Sequence, residues 1–168
     1  MIFPLSLSQG YNPSLMKKPS LLWILGVLLI LMPACSQKPQ VEWTPYTPEK
    51  MQQVMASGQP VFAYFYAAWC RPCVMLREHT FNDSRVIAAL EPYHRIKFDM
   101  SFIHSPKIQK ISEEYQVAGM PSLILFAPDG KSFHRHSGFI SAEQLLKILK
   151  EFRTKYGLPE PEGMTKPQ

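Results

Sequence analysis

The sequence of 168 residues predicts an α/β fold, a small mixed β-sheet with helices on both faces. Apolar segments of strand length alternate along the chain with segments that begin at helix-capping residues. The chain length suits one domain. With 46% hydrophobic and 18% charged residues, the chain is too apolar to be disordered. The same 18% of charged residues is too low for a nucleic-acid-binding tail.

Capping signals predict five helices. Thr47 is suited to an N-cap, with Pro48 at the first helical position and Gly58 beyond the end. Ser141 and Gln144 form a capping-box pair that opens the last helix, which carries one apolar stripe. The predicted helices cover about residues 49–57, 70–79, 83–90 and 106–115, and the last begins at about 141.

Four strands are predicted between these helices. The segment Pro60–Tyr66 is a continuous apolar run bounded by helix breakers, as is typical of a buried central strand. Asp129-Gly130, between two extended segments, is a strong signal for a β-hairpin. The predicted strands cover about residues 60–66, 95–100, 122–127 and 132–137.

The N-terminal segment has the anatomy of a secretory signal. Lys17 and Lys18 precede an unbroken apolar run from Leu21 to Met32. A helix that crosses a bilayer needs ~20 apolar residues, so the shorter run favours export over a permanent transmembrane span. Residues 1–15 carry no charge ahead of this pattern. We therefore expect translation to start at Met16.

The end of the apolar run resembles the lipobox of bacterial lipoproteins, in which a cysteine is diacylated and becomes the mature N-terminus. This cysteine is Cys35, preceded by Ala34; Met32 stands where the box usually has leucine. Cys35 is predicted to be a lipid anchor facing the periplasm. Ser36 after it favours the outer membrane. The alternative is a plain signal sequence cleaved near Ala34, with Cys35 incidental.

The chain is predicted to consist of four segments. Residues 1–34 are the signal peptide, and residues 35–46 are the lipid anchor and a polar, proline-containing tether. Residues 47–156 form the folded domain, and residues 157–168 are a proline-rich tail.

Chemistry is expected where the strand at 60–66 meets the following helix, at Trp69-Cys70-Arg71-Pro72-Cys73. Two residues between cysteines on a first helical turn bring the sulfurs close enough for a reversible disulfide. Cys70 at the helix N-terminus is the predicted attacking thiolate, because the helix dipole favours the charged form. Cys73, one turn further in, is predicted to resolve a mixed disulfide.

The same spacing also occurs in half of a structural zinc site. A zinc site needs four ligands, and the sequence offers no second ligand pair at the required spacing. His134 and His136, which share one face of a predicted strand, are expected to be solvated polar residues. The histidines are His79, His94, His104, His134 and His136.

Two segments together resemble the signatures of the thioredoxin superfamily: Phe65–Cys73, and Val117–Leu123 with Gly119-Met120-Pro121. The likeness is greatest to the C-terminal, periplasmic thioredoxin-like domain of the thiol:disulfide interchange protein DsbD. It extends through Thr80–Asp83 and Gly138-Phe139 and covers about residues 43–156. The resemblance implies a thioredoxin fold, a central mixed sheet flanked by helices.

The resemblance also implies roles for single residues. Pro121 is expected to be a cis proline beside the disulfide, with the Met120 backbone exposed to pair with a substrate chain. Trp69 is expected on the substrate-facing rim. Arg71 and Pro72, between the cysteines, complete the residues expected to line the groove or tune the thiols.

Two positions depart from the family pattern. Tyr64 stands where members commonly have a buried aspartate, and Arg77 stands where the DsbD-like domains tend to have an acidic residue. Both changes remove negative charge, which favours the Cys70 thiolate and a more oxidising disulfide. Alternatively, Tyr64 is plain core packing and Arg77 a solvated helix residue.

Other sulfur and aromatic side chains are expected to serve in packing. They are Phe65, Tyr66, Met51, Met55, Met75 and Met100, with Val54 in the same stripe as Met51.

The sequence therefore predicts a protein-disulfide oxidoreductase that exchanges the Cys70–Cys73 disulfide with protein substrates, without a bound cofactor or metal. A reducing role is favoured, with electrons from a separate membrane donor. The alternatives are a disulfide oxidase or isomerase, and a binding module. The module is either a redox-inert adaptor or a Cu(I) site at Cys70 and Cys73 with Met75 or Met120.

Overall fold

The computed structural model describes residues 40–161. The predicted signal segment with Met16, the lipidation site Cys35, the first part of the tether and the end of the tail lie outside these residues. Within the described range, no helix has the length and apolar character needed to cross a membrane.

Within residues 40–161, five helices form where the capping signals predict them. Thr47 caps the first helix, its hydroxyl accepting a hydrogen bond from the Lys50 N–H at 3.1 Å. Ser141 and Gln144 make the predicted capping box at the last helix. The helices are α1 (Pro48–Ala56), α2 (Arg71–His79), α3 (Ser84–Leu90), α4 (Pro106–Glu114) and α5 (Ala142–Tyr156).

Five strands form one mixed sheet in the order β1-β3-β2-β4-β5. β2 pairs with β3 in parallel and with β4 antiparallel, and β4 and β5 form the predicted hairpin. This confirms the predicted sheet and its flanking helices. The strands are β1 (Thr44–Pro45), β2 (Val61–Tyr66), β3 (His94–Asp99), β4 (Ser122–Phe126) and β5 (Phe133–Ser137).

The short strand β1 includes residues that the sequence analysis placed in the tether. Thr44 and Pro45 pair in parallel with Ile96 and Lys97, at the edge of the sheet. Trp43, just before β1, packs its ring 5.1 Å from Phe81. Residues 43–46, placed in the tether by sequence, therefore belong to the sheet edge and the core.

The predicted tail also begins with ordered contacts. Gly157 ends α5 in the left-handed conformation at φ 62°, which favours glycine. The Leu158 N–H donates to the Arg153 carbonyl, and the Glu160 carboxylate lies 3.5 Å from the Arg153 guanidinium. Residues 157–160 of the tail thus fold back on the last helix.

Side chains of β2 alternate between two cores on the two faces of the sheet. Phe62 and Tyr64 point to the core that contains both cysteines and the buried faces of α2, α3 and α5. Val61, Ala63 and Phe65 point to the other core, which contains the buried faces of α1 and α4. All five side chains are buried, which explains why the sequence of β2 is continuously apolar.

Thr80 ties the C-terminal end of α2 to the segment before α5. Its side chain is fully buried, and its hydroxyl donates to the Ile140 carbonyl at 2.6 Å. The Thr80 N–H also continues the helix by donating to the Leu76 carbonyl. The end of the cysteine-bearing helix is therefore fixed against α5.

We predict that Thr80→Val destabilises the domain by about 1–3 kcal/mol, because the buried Ile140 carbonyl loses its hydrogen bond. Urea unfolding of the oxidised protein measures this. The matched control is Thr154→Val, whose exposed hydroxyl bonds within its own helix. We expect a change below about 0.5 kcal/mol for the control. Equal losses in both variants would contradict this role for Thr80.

Candidate active site

Cys70 and Cys73 are joined by a disulfide, with their Cα atoms 5.3 Å apart. Both residues are buried, each with 4% of its surface exposed. Cys70 follows the loop that leaves β2, and Cys73 lies in the first turn of α2. The structure thus brings together the two sulfurs that the sequence predicts to react.

Cys70 is the N-cap of α2. Its carbonyl accepts hydrogen bonds from the Cys73 and Val74 N–H groups, and its Sγ accepts from the Cys73 N–H at 3.3 Å. Pro72 lies in the first turn, where its missing N–H is not needed. A thiolate at Cys70 would face the positive end of the helix and a backbone donor, which favours the charged form.

Trp69 precedes the disulfide and is 60% exposed. Its indole Nε1 donates to the Ser101 carbonyl at 3.0 Å. The neighbouring Ala68 N–H donates to the Ser101 hydroxyl at 2.8 Å. The exposed indole is therefore held in place by the segment that follows β3.

Ser101 is a site residue that the sequence analysis missed. The Asp99 carboxylate accepts from both the Ser101 hydroxyl and the Ser101 N–H. These bonds, with a contribution from Tyr66, hold the pKa of Asp99 below its ordinary value, so the carboxylate stays ionised. An aspartate followed two residues later by serine is a signal for such a turn. The sequence carries no sign that the turn would hold the Trp69 loop.

Met120 and Pro121 lie at the same end of the sheet as the disulfide. The register that pairs Phe65 with Ser122 places Pro121 opposite the end of β2, where the loop to Cys70 begins. The Met120–Pro121 peptide bond is cis, as the resemblance implies. Met120 packs against both cores, including the one that contains the cysteines.

Tyr64 is both a core residue and a neighbour of Cys73. It is buried between aromatic rings, and its hydroxyl donates to the Cys73 carbonyl at 3.3 Å. Burial raises the pKa of Tyr64 far above its ordinary value, so the phenol stays neutral. The position that carries a buried acid in the family therefore supplies a neutral donor here.

Arg71 and Arg77 place two cations on α2. Arg71 is exposed and makes no ion pair within residues 40–161. The Arg77 guanidinium is 65% exposed and lies 4.0 Å from Glu78. Its charge still acts on Tyr64, where it opposes the effect of burial on the pKa. Arg77 is thus a solvated helix residue, and its charge is close enough to Tyr64 to lower the pKa of that phenol.

The prediction that Met75 packs in the core is wrong. Its side chain is 39% exposed on α2, whereas Met51, Val54 and Met100 are buried in the core as expected. Helix α2 buries Cys73 and Leu76, which leaves Met75 on its outer face.

The histidines do not assemble with the cysteines. His134 and His136 lie on β5, and burial lowers the pKa of His134. In the part of the chain that the structure describes, no three His, Cys, Asp or Glu side chains are grouped closely enough to hold a metal ion.

A comparison with family sequence models matches residues 47–153 to the Thioredoxin-like domain family. The match spans both cysteines, Trp69, Met120 and Pro121.

Among curated proteins, the chain is similar to the thiol:disulfide interchange protein DsbD of Campylobacter jejuni. The two are 40% identical over 99 residues, which is 59% of this chain and 17% of that protein. The thioredoxin-like protein slr0233 of Synechocystis sp. is 30% identical over 101 residues, 60% of this chain and 89% of that protein. The chain therefore spans about a sixth of the DsbD protein, but most of the shorter relative.

Two solved structures show the fold. The oxidised C-terminal domain of Neisseria meningitidis DsbD has a TM-score of 0.53 and 24% identity, covering 62% of this chain and 95% of that one. A thioredoxin from Thermus thermophilus has a TM-score of 0.57 and 24% identity, covering 71% and 92%. Both likenesses confirm the predicted sheet and helix arrangement.

We predict that Tyr64→Phe destabilises the domain by about 0.5–1.5 kcal/mol, because the hydrogen bond to the Cys73 carbonyl is lost. The loss should be the same in the oxidised and reduced proteins, since this carbonyl is not a reacting atom. Urea unfolding of both redox forms measures it. A difference of about 1.4 kcal/mol between the two forms, equivalent to about 30 mV, would show instead that the hydroxyl acts on the thiols.

Proposed function

Because this chain belongs to the thioredoxin-like domain family and is a disulfide oxidoreductase of that family, we propose that it reduces disulfides in exported proteins. The observation that carries this proposal is the Cys70–Cys73 disulfide at the start of α2, at the sheet end where Met120 and Pro121 lie. The reaction needs these two sulfurs and no bound cofactor.

The exchange proceeds through a mixed disulfide. In the reduced protein, the Cys70 thiolate attacks one sulfur of a substrate disulfide, and the other substrate sulfur leaves as a thiolate. Cys73, deprotonated, then attacks Cys70, and the second substrate sulfur leaves. Two electrons pass to the substrate, and the Cys70–Cys73 disulfide re-forms. The helix N-terminus favours the Cys70 thiolate both as nucleophile and as leaving group.

The similarity to DsbD supports the reducing direction. After each exchange the dithiol must be regenerated by an electron donor. We infer a separate membrane donor, which transfers electrons through a second mixed disulfide at Cys70.

The charges near the thiols favour a second candidate, an oxidase or isomerase of disulfides. Tyr64 supplies a neutral hydroxyl where the family has a buried acid, and Arg77 extends positive charge to the same region. A cationic setting stabilises the reduced thiolate, which makes the disulfide more oxidising. The reduction potential distinguishes the two directions.

We also propose that the domain works on the periplasmic side of a bacterial membrane, anchored through a lipid on Cys35. The support is the sequence pattern before the domain: Lys17 and Lys18, the apolar run, and the small residue ahead of Cys35. The outer membrane is favoured by Ser36.

We expect Cys73→Ala to trap protein partners as mixed disulfides, because the substrate stays attached to Cys70 when no second thiol releases it. Non-reducing electrophoresis of envelope fractions from the native cell, followed by mass spectrometry, identifies the partners. Exported proteins with disulfides, and one membrane protein as donor, are the expected partners.

The matched control for this trap is Cys70→Ser, which keeps Cys73 but removes the attacking sulfur. It should trap nothing. Equal trapping by both variants would overturn the assignment of Cys70 as nucleophile, and the absence of adducts with Cys73→Ala would argue for a redox-inert adaptor.

We expect an equilibrium reduction potential of about −270 mV, the value of thioredoxin, if the protein is a reductant. The full chain in detergent is titrated against glutathione, and thiol labelling of Cys70 and Cys73 is measured. A value towards about −120 mV, as in a strong periplasmic oxidant, would replace the reductase with the oxidase or isomerase.

A further inference from the structure

Large apolar side chains are exposed mainly at the disulfide end of the sheet. Most side chains of this kind in a folded domain are buried, so a cluster of exposed ones at one end indicates an interaction surface. Four of those that the structure describes lie in loops at this end: Trp69, Phe102, Ile103 and Phe139.

Three connections place these loops beside one another. The Met100 N–H donates to the Tyr66 carbonyl, which joins the start of the β3–α4 loop to the end of β2. The Trp69 indole donates to the carbonyl of Ser101, the residue before Phe102. The Gly138 N–H donates to the Pro121 carbonyl, which brings Phe139 near the cis proline.

Phe102 is the most exposed of these side chains, at 78%. Its loop is nevertheless fixed, because the Asp99 carboxylate holds Ser101 on one side and the Ser105 N–H donates to the Phe102 carbonyl on the other. A phenylalanine displayed on a fixed turn loses little conformational freedom when a partner covers it. We name Trp69, Phe102 and Ile103 the apolar rim.

The reaction brings a partner over this rim. An S–S bond is about 2 Å long, so a partner cysteine bonded to Cys70 lies close to the residue before Cys70, which is Trp69. Side chains that flank the partner cysteine must then lie against the neighbouring surface. Arg71, an exposed cation that makes no ion pair in the described range, follows Cys70 in the sequence and suits an acidic group.

We propose that Phe102 and Ile103 determine substrate specificity, by binding an apolar side chain next to the cysteine of a protein partner that also carries an acidic residue near Arg71. This inference rests on the proposed function, since it assigns the kind of substrate that the Cys70–Cys73 pair reduces. Phe102 and Ile103 act in binding and take no part in the electron transfer.

The test uses the reduced full chain and two synthetic peptides, each closed into a ring by one disulfide. One peptide has leucine and aspartate flanking each cysteine, and in the other the leucine is replaced by serine. We expect wild-type protein to reduce the leucine peptide about tenfold faster, the effect of partly burying one apolar side chain. Stopped-flow measurement of thiol oxidation gives both rates.

Phe102→Ser should reduce this tenfold preference to less than about twofold, and Ile103→Ser should weaken it in part. The matched control is Phe133→Ser, because Phe133 is 52% exposed but pairs with Phe126 at the opposite end of the sheet. The control should keep the preference. An unchanged preference in Phe102→Ser overturns the inference.

Failure of the inference and failure of the proposed function give different results. If wild-type protein reduces both peptides and glutathione disulfide but shows no preference, the rim does not select substrates and the proposed function stands. If it reduces none of them, the proposed function fails as well.

The other occupant that an aromatic rim could suit is a membrane surface. Vesicles of anionic phospholipid are mixed with the full chain and sedimented. Equal sedimentation of wild type and Phe102→Ser is expected if the rim binds peptides. A large loss of sedimentation in Phe102→Ser, with no change in peptide preference, would assign the rim to lipid and overturn the proposal.

Discussion

The parallel pairing of β2 with β3 and the antiparallel pairing of β2 with β4 decide where every part of the site lies. Parallel strands end at the same edge of a sheet, so the loops after Tyr66 and Asp99 leave side by side. The antiparallel partner, β4, begins at that edge, so Met120 and Pro121, which come just before β4, lie there as well. The disulfide, the cis proline and the apolar rim thus share one edge although they are distant in sequence.

Two hydrogen-bonded contacts then set the properties of this edge. Ser101, fixed by the ionised Asp99, holds the loop that carries Trp69 and keeps its indole in one position. Tyr64 fills the interior behind Cys73 with a ring and a neutral donor instead of a charge. One contact orders the outer surface beside the disulfide, and the other leaves the buried side of Cys73 without a charge.

Local sequence signals were sufficient to predict most of the helices and strands. Helix caps and tight turns act over a few residues, as they do at Thr47, Ser141 and Asp129-Gly130. The strand β1 was missed because a two-residue edge strand ending in Pro45 has no apolar alternation and is formed only by pairing with β3. The two cysteines could be predicted from the sequence because they form a motif. The role of Ser101 could not be predicted, since the sheet brings its hydrogen-bond partners Ala68 and Trp69 next to it.

The arrangement separates two properties that a disulfide oxidoreductase must control. The reactivity of Cys70 depends on its place at the helix N-terminus, which acts on the sulfur whatever the partner is. The choice of partner depends on surface side chains that the sulfur chemistry does not use. Phe102 belongs to the second group, because it is exposed on the turn that contacts the Trp69 loop through Ser101. Substitutions in this turn can therefore change which disulfides are bound while the helix that activates Cys70 stays as it is.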